Sequence, residues 1–348
     1  MAKRGATINT EGRFARHVSQ GIDDGWWQEE EPAPRTQLLI DHARSVISYN
    51  QSPDVPFDRS INPYRGCEHG CPYCFARPTH SYLDLSPGLD FETKIFYKPD
   101  APELLRKELS RPGYRPAPVA LGINTDGWQP VEKKLGLTRQ LLQILAEHRH
   151  PVSIVTKSAL IARDTDILAD MAKEGLVQVA FSLTTLQPEL ARAMEPRAAT
   201  PRRRLQAMHT LAEAGVPVSV LYAPVIPHLN DAELEAVLSA AFQHGARWAG
   251  YVLLRLPFEL KEVFPAWLHD QFPNKAEAVL RQLRELRGGE LYRTDYGQRM
   301  QGKGVRAELL QTRFKAACKR FGFSPEFPTF NCAAFRVPGR AVQASLFD

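Results

Sequence analysis

Cysteine is scarce: five in 348 residues, with none between Cys74 and Cys318. An odd, clustered set argues against a disulfide framework and for reduced thiols that serve metal binding or catalysis. Long apolar runs are missing too. The stretch "VPVSVLYAPVI", Val216 to Ile226, is broken by Pro217 and Pro224 and falls well short of the roughly 18 residues of a membrane span. The N-terminal "MAKRGATINTEGRF" has no apolar h-region, so no secretory signal is visible; a cytoplasmic location without membrane association is the expectation. Charge bias is weak. The 44 Lys and Arg against 39 Asp and Glu give +5, which permits contact with nucleic acid without requiring it. No phosphate-binding glycine fingerprint opens a strand–helix unit, which counts against a doubly wound dinucleotide fold.

With 43% apolar residues, the chain can bury a large core as one elaborated domain with extensions. Residues 1–55 are polar and Pro-containing and read as an N-terminal arm, partly disordered or surface-packed. From about Ser60 strand-length apolar runs alternate with amphipathic stretches: "PVALGINT" (118–125), "PVSIVTK" (151–157), "VQVAFSLT" (177–184), "PVSVLYAPV" (217–225) and "WAGYVLLRL" (248–256). Nearly all-apolar strands alternating with helices predict an α/β barrel, or part of one, over 56–260. Chemistry in such barrels sits where strands end. The polar residues there are Thr125, Asp126, Lys157, Ser182 and Arg255. Residues 261–348 read as a basic helical extension packed on the barrel, ending in a mobile tail.

Cys67, Cys71 and Cys74 fall within "NPYRGCEHGCPYC", with Gly66, Gly70 and Pro72 supplying turns. Spacing C-x3-C-x2-C on one loop suits three corners of an iron–sulfur cube, with the fourth iron open for substrate or cofactor. The competing reading is a Cys3His zinc site completed by His69 or His80, although zinc ligands usually come as two separated pairs.

This loop resembles the C-x3-C-x-aromatic-C signature of the radical S-adenosylmethionine (SAM) superfamily, with Tyr73 as the aromatic. Within it, "TKSALIARDTDIL", "FSLTT", "MEPRAATPRRRL" and "APVIPHLND" resemble the spore photoproduct lyase branch. The resemblance implies a partial (β/α)6 TIM-like barrel, a 4Fe–4S cluster on Cys67, Cys71 and Cys74, and SAM bound at the open iron. It also implies one-electron cleavage to a 5′-deoxyadenosyl radical that abstracts hydrogen, with a reductant such as flavodoxin or ferredoxin. Tyr73 then lies by the adenine, Thr125 and Asp126 toward the SAM amino group, Lys157 on its carboxylate and Ser182 toward the ribose. "NTDGWQPVE" replaces the family's Gly-Gly-Glu. Arg197, with Arg202, Arg203 and Arg204, offers phosphate contact to SAM or nucleic acid, or else a solvated helix start.

The sequence departs from the branch at two places. Where the lyase has a hydrogen-donating cysteine the chain has Ile123, and Phe75 replaces the tyrosine after the third cluster cysteine. Cys332 is left as the candidate hydrogen donor, and Cys318 reads as a core residue. The terminal "QASLFD" resembles a bacterial sliding-clamp peptide, with Gln343 as polar hook and Leu346 and Phe347 as apolar anchors. Three functions follow as expectations: a radical SAM enzyme acting on a DNA lesion or other nucleic acid, one acting on a peptide or small metabolite, or a zinc-stabilised nucleic-acid-binding protein.

Overall fold

The computed structural model describes residues 4–15 and 35–339. Its strands are β1 (Gln37–Ile40), β2 (Ile47–Tyr49), β3 (Arg59–Ile61), β4 (Tyr64–Arg65), β5 (Lys94–Tyr97), β6 (Val119–Leu121), β7 (Val152–Thr156), β8 (Val177–Ser182), β9 (Val218–Val225) and β10 (Trp248–Leu253). The main sheet runs β10-β9-β8-β7-β6-β3-β2, and only β2 is antiparallel. Six parallel strands wound in chain order make a partial TIM-like (β/α)6 barrel. Alternate residues bury one apolar face of each strand in the core shared with the helices: Val177, Val179 and Phe181 of β8, and Val218, Val220 and Tyr222 of β9.

Helices Leu137–Glu147, Thr165–Lys173, Pro201–Glu213 and Leu234–Gln243 follow β6 to β9. Each turns apolar residues at helical spacing onto the sheet, for example Leu205, Met208 and Leu211. Helix Pro201–Glu213 starts where Thr200 accepts a bond from the Arg203 amide (3.4 Å) and proline occupies the first turn. A smaller sheet, β1-β5-β4, stands beside the barrel and carries the cysteine loop out of β4.

The segment 1–55 contributes β1, β2 and the buried Ala6. The strands are too short to show a period-two pattern. Helices Leu260–Gln271, Pro273–Leu286 and Val305–Phe321 form the C-terminal region. Leu260, Phe264, Trp267 and Leu268 bury together with Ala6, Cys71, Tyr73 and Leu254, so one core runs across residue 260. No helix among the described residues is long and apolar enough to cross a membrane.

A seam bridges the open edge of the barrel between β10 and β2. The Leu253 amide donates to Met300 O (2.8 Å). Asp54, beyond β2, accepts from the Gly297 amide (2.6 Å) and pairs with Arg299, which also donates to Ser52 Oγ (2.6 Å).

At the opposite end of the barrel, His150 is buried with its two nitrogens on Tyr114 Oη (2.8 Å) and Pro151 O (3.0 Å). Burial draws its pKa down to about 4. The neutral ring is therefore favoured by folding, and its contribution is complete above about pH 6.5 and lost as pH falls toward 4. His150→Gln is expected to flatten the thermal-stability profile between these values by up to ~3 kcal/mol. An unchanged acid limb in calorimetric melts would contradict this.

Candidate active site

The cysteine loop lies over the C-terminal ends of the barrel strands. Gln129, in the loop after β6, holds it on both sides: its Oε1 accepts from the Glu68 amide (2.8 Å) and its Nε2 donates to Gly66 O (3.1 Å). The turns within the loop are glycine-dependent. Gly66 and Gly70 have φ of 81° and 72°, and a Cβ on Gly70 would stand 2.7 Å from Glu92 Oε2. Cys67 and Cys71 are buried and Cys74 is half-buried. Burial, with Asp126 next, pushes the Cys67 thiol well up, and burial together with Glu195 pushes Cys71 up to about 12.

Beneath the loop sits a buried ion pair, Arg77 with Glu92, both 0% exposed. Arg77 spreads its donors over the loop's backbone, Nε to Cys71 O (2.7 Å) and Nη2 to Gly70 O (3.0 Å), and over the later turn, Nη1 to Gly88 O (2.7 Å). Glu92 accepts in addition from the amides of Gly5 (2.8 Å) and Ala6 (2.7 Å). The N-terminal residues thus form a strap across the loop. Gly5 presses so closely that a Cβ there would lie 1.5 Å from Gly70 O. Farther along, Asn9 Oδ1 accepts from the Leu89 amide (3.0 Å), Thr10 donates to Glu262 (2.6 Å) and Arg13 pairs with Glu259 (3.1 Å).

The strand-end residues converge on the same rim. Asp126 accepts from the amides of Trp128 (2.9 Å) and Lys157 (2.7 Å) and from Thr156 Oγ1 (2.9 Å), and lies 3.6 Å from His69 Nδ1. Thr125 Oγ1 donates to Tyr64 O (3.0 Å) and Ser182 Oγ to Ala223 O (3.0 Å). Ser182 thus joins two neighbouring strand ends and Thr125 ties the loop after β6 to β4; neither hydroxyl caps a helix. The Lys157 ammonium has no carboxylate within ion-pair reach among the described residues and stands 5.9 Å from the Tyr73 ring centre. Arg197 donates to Glu68 of the cysteine loop (2.8 Å).

Sequence reasoning missed the network that holds this rim. The Tyr73 hydroxyl donates to Glu195, which also accepts from Thr184 Oγ1 (3.0 Å) and pairs with Arg204. Burial pushes the Glu195 carboxyl up, but Arg204 and Lys157 outweigh it and hold it below its usual range. The pair lay inside "MEPRAATPRRRL", where the run of arginines suggested shared exposure. Arg202 and Arg203 are exposed, but Arg204 is 1% exposed and fully engaged, also donating to Ser182 O (2.9 Å). It is therefore not open to a phosphate. Asn230 escaped notice as well: fully buried, it donates to Thr184 O (2.8 Å) and Pro224 O (2.9 Å) and accepts from the Ile226 amide (2.6 Å).

Cys332 requires a correction. Its neighbour Asn331 bonds to Gly175 O (3.1 Å) and Arg336 to His148 O (2.9 Å). Gly175 and His148 precede β8 and β7, so Cys332 lies at the strands' N-terminal ends, a barrel length from the cysteine loop, and the hydrogen-donor role is withdrawn. Cys318 packs against the core, and burial raises its thiol to about 11. The zinc reading gains no support either. His80 is buried with Nε2 on Lys94 O (3.1 Å), His69 faces Asp126, and no three His, Cys, Asp or Glu among the described residues converge to hold a single ion. A cluster makes no such demand, because each thiolate binds its own iron.

Residues 61–241, more than half of the chain, match the family described as the radical SAM superfamily. The chain belongs to the radical SAM superfamily. Its cofactors are those of the family, a 4Fe–4S cluster and SAM. An uncharacterized protein of Mycobacterium tuberculosis (strain ATCC 25618 / H37Rv) is 40% identical over 221 residues, 63% of this chain and 65% of that relative. Another, of Methanocaldococcus jannaschii, is 27% identical over 199 residues, 57% of this chain and 71% of its own. The shared region thus spans just under two thirds of the mycobacterial relative. Among solved structures, spore photoproduct lyase complexed with dinucleoside spore photoproduct aligns with TM-score 0.59 and 16% identity, covering 82% of this chain and 79% of that one. At that identity the likeness is one of fold.

Proposed function

We propose that this radical SAM enzyme abstracts hydrogen from a nucleic-acid substrate, in the manner of a DNA-lesion lyase. The observation that carries the reading is an exposed rim of arginines and aromatics beside the cysteine loop. Phe75, directly after Cys74, is 42% exposed, and the Arg255 guanidinium stands 5.5 Å from its ring centre. Farther out, Arg13 lies 3.6 Å over exposed Phe258, with exposed Phe14 and Tyr82 adjacent. Cationic groups interleaved with open aromatic faces suit unstacked bases and their phosphates, whereas a small metabolite or peptide side chain calls for an enclosed pocket. The lyase that shares the fold and holds a dinucleoside lesion adds weight.

Within the reading, Cys67, Cys71 and Cys74 hold the cluster, which when bound supplies one-electron cleavage of SAM. The chain's own part is positional. Lys157, with its free ammonium, takes the SAM carboxylate. Tyr73, Thr125, Asp126, Ser182 and Arg197 shape the surrounding wall, and the Glu195–Arg204 pair keeps Tyr73 and β8 in place. The packed core beneath Cys71 and Tyr73 excludes water. Because a charged hydrogen bond contributes about 1.5–3 kcal/mol, Lys157→Ala is expected to weaken SAM binding about tenfold or more with little change in melting temperature. Equal affinity by anaerobic calorimetric titration removes this role.

A reductant such as flavodoxin or ferredoxin delivers the electron. Gln343, Leu346 and Phe347, proposed to dock on a sliding clamp, lie outside the described residues. Clamp mixed with wild type is expected to co-elute, and with Leu346→Ala/Phe347→Ala to separate; equal behaviour of the two ends the idea. The function itself is tested anaerobically with reductant, SAM and ultraviolet-irradiated DNA whose thymidines are deuterated at every carbon-bound position. Deuterium entering 5′-deoxyadenosine is the expected result, and its absence with active enzyme sinks the nucleic-acid reading.

A further inference from the structure

We propose that the seam closing the barrel between β10 and β2 is an oxyanion site for phosphoryl oxygens of the substrate, with Arg255 as its innermost contact. The inference deepens the nucleic-acid reading and rests on it for the source of those oxygens, a phosphodiester backbone.

Two guanidiniums at the seam have no carboxylate within ion-pair reach among the described residues. Arg287 is 3% exposed; it donates to Leu254 O (2.7 Å) and Arg299 O (2.7 Å), while its Nε has no partner among the described residues. Burial first, and the like charge of Arg255 besides, draws its pKa down to about 10. Arg255 follows the end of β10, and its Nε is also buried without a partner. Its other donors reach only Met300 Sδ and Tyr292 Oη, each at 3.5 Å, too long for strong bonds. Asp54 feels Arg255 but is already bound by Arg299 and the Gly297 amide. A small cavity alongside is lined by Arg287, Arg293, Arg299 and Lys303 without any acidic side chain. Arg293 pairs outward with Asp295 (3.1 Å).

A buried guanidinium without counter-charge, as at Arg287, is costly, and the half-buried fork of Arg255 matches phosphate oxygens. The cations lie along an edge of the barrel, which fits a strand passing beside it. A phosphate on Arg255 brings the attached nucleoside to the open face of Phe75, next to Cys74. Arg255 then serves for recognition, and Arg287 for the positive field behind it.

The test uses the anaerobic holoenzyme and a fluorescein-labelled single-stranded oligothymidylate, followed by anisotropy over a salt series. Arg255→Gln is expected to weaken binding about tenfold or more and to lower the salt slope by about one. Arg255→Lys should recover part of the affinity but not the Met300 and Tyr292 geometry. Thermal melting verifies that both variants are folded, and Arg293→Gln, at the exposed end of the seam, gives an independent arm with a smaller expected loss. Wild-type binding that Arg255→Gln and Arg293→Gln leave unchanged overturns the site while the nucleic-acid reading stands. If the oligonucleotide does not bind but pyrophosphate raises the melting temperature of wild type and not of Arg255→Gln, the oxyanion site holds and the nucleic-acid source fails. Binding of neither probe overturns both.

Discussion

Anaerobically purified Cys71→Ala is expected to be colourless, to carry iron near background and to form no 5′-deoxyadenosine from SAM, while wild type is brown and active. The three thiols sit on one glycine-turned loop, so no other described cysteine can replace the lost one: Cys318 and Cys332 are on remote elements. The substitution itself is mild. Alanine fits the space of a buried thiol among Ala6, Tyr73 and Leu254, and ~1 kcal/mol of stability is at stake. Iron and turnover retained by the variant would end the assignment of Cys71. A colourless wild type holding one zinc per chain would falsify the radical chemistry.

Glu92→Ala is expected to cost ~3–5 kcal/mol, the usual consequence of leaving a buried charge unpaired, and to release the cysteine loop. Three groups lose their acceptor together: the Arg77 guanidinium and the Gly5 and Ala6 amides. Arg77 carries the carbonyls of Gly70 and Cys71, so the effect reaches the cluster site through one side chain. The measurements are the melting temperature, iron per chain after reconstitution, and the bleaching time of the cluster's absorbance in air. Gly5→Val approaches the same contact from the strap and leaves the ion pair in place; it should shorten the bleaching time with a smaller loss of stability, because its Cβ collides with Gly70 O. Wild-type melting and iron content in Glu92→Ala would refute the role of the pair.

Much of the barrel was legible because its signals are local. Strand-length apolar runs ended no more than four residues from the ends of β6 to β9, and the intervening helices carry apolar residues at their own period. The cysteine loop was legible for the same reason: ligand spacing and turn glycines lie within a dozen residues. Arg204 was misread because an arginine run carries no mark of which member turns inward. That choice belongs to Glu195, which becomes a partner only when helix Pro201–Glu213 packs against β8. Cys332 was misplaced because nothing in "TFNCAAF" says at which end of the barrel a returning chain docks.

Composition, spacing and periodicity thus sufficed for the fold class, the three-thiol loop and the rim positions of Asp126 and Lys157, each a matter of neighbours along the chain. The N-terminal strap on Glu92, the removal of Cys332 from the site and the gathering of Arg255, Arg287 and Arg299 at the barrel seam came only from tertiary packing. Glu92 is 86 or 87 residues from the amides it accepts, and Asp54 is 245 from Arg299. Contacts at such separations are selected by the burial and charge pairing of the whole core, which no short stretch of sequence encodes.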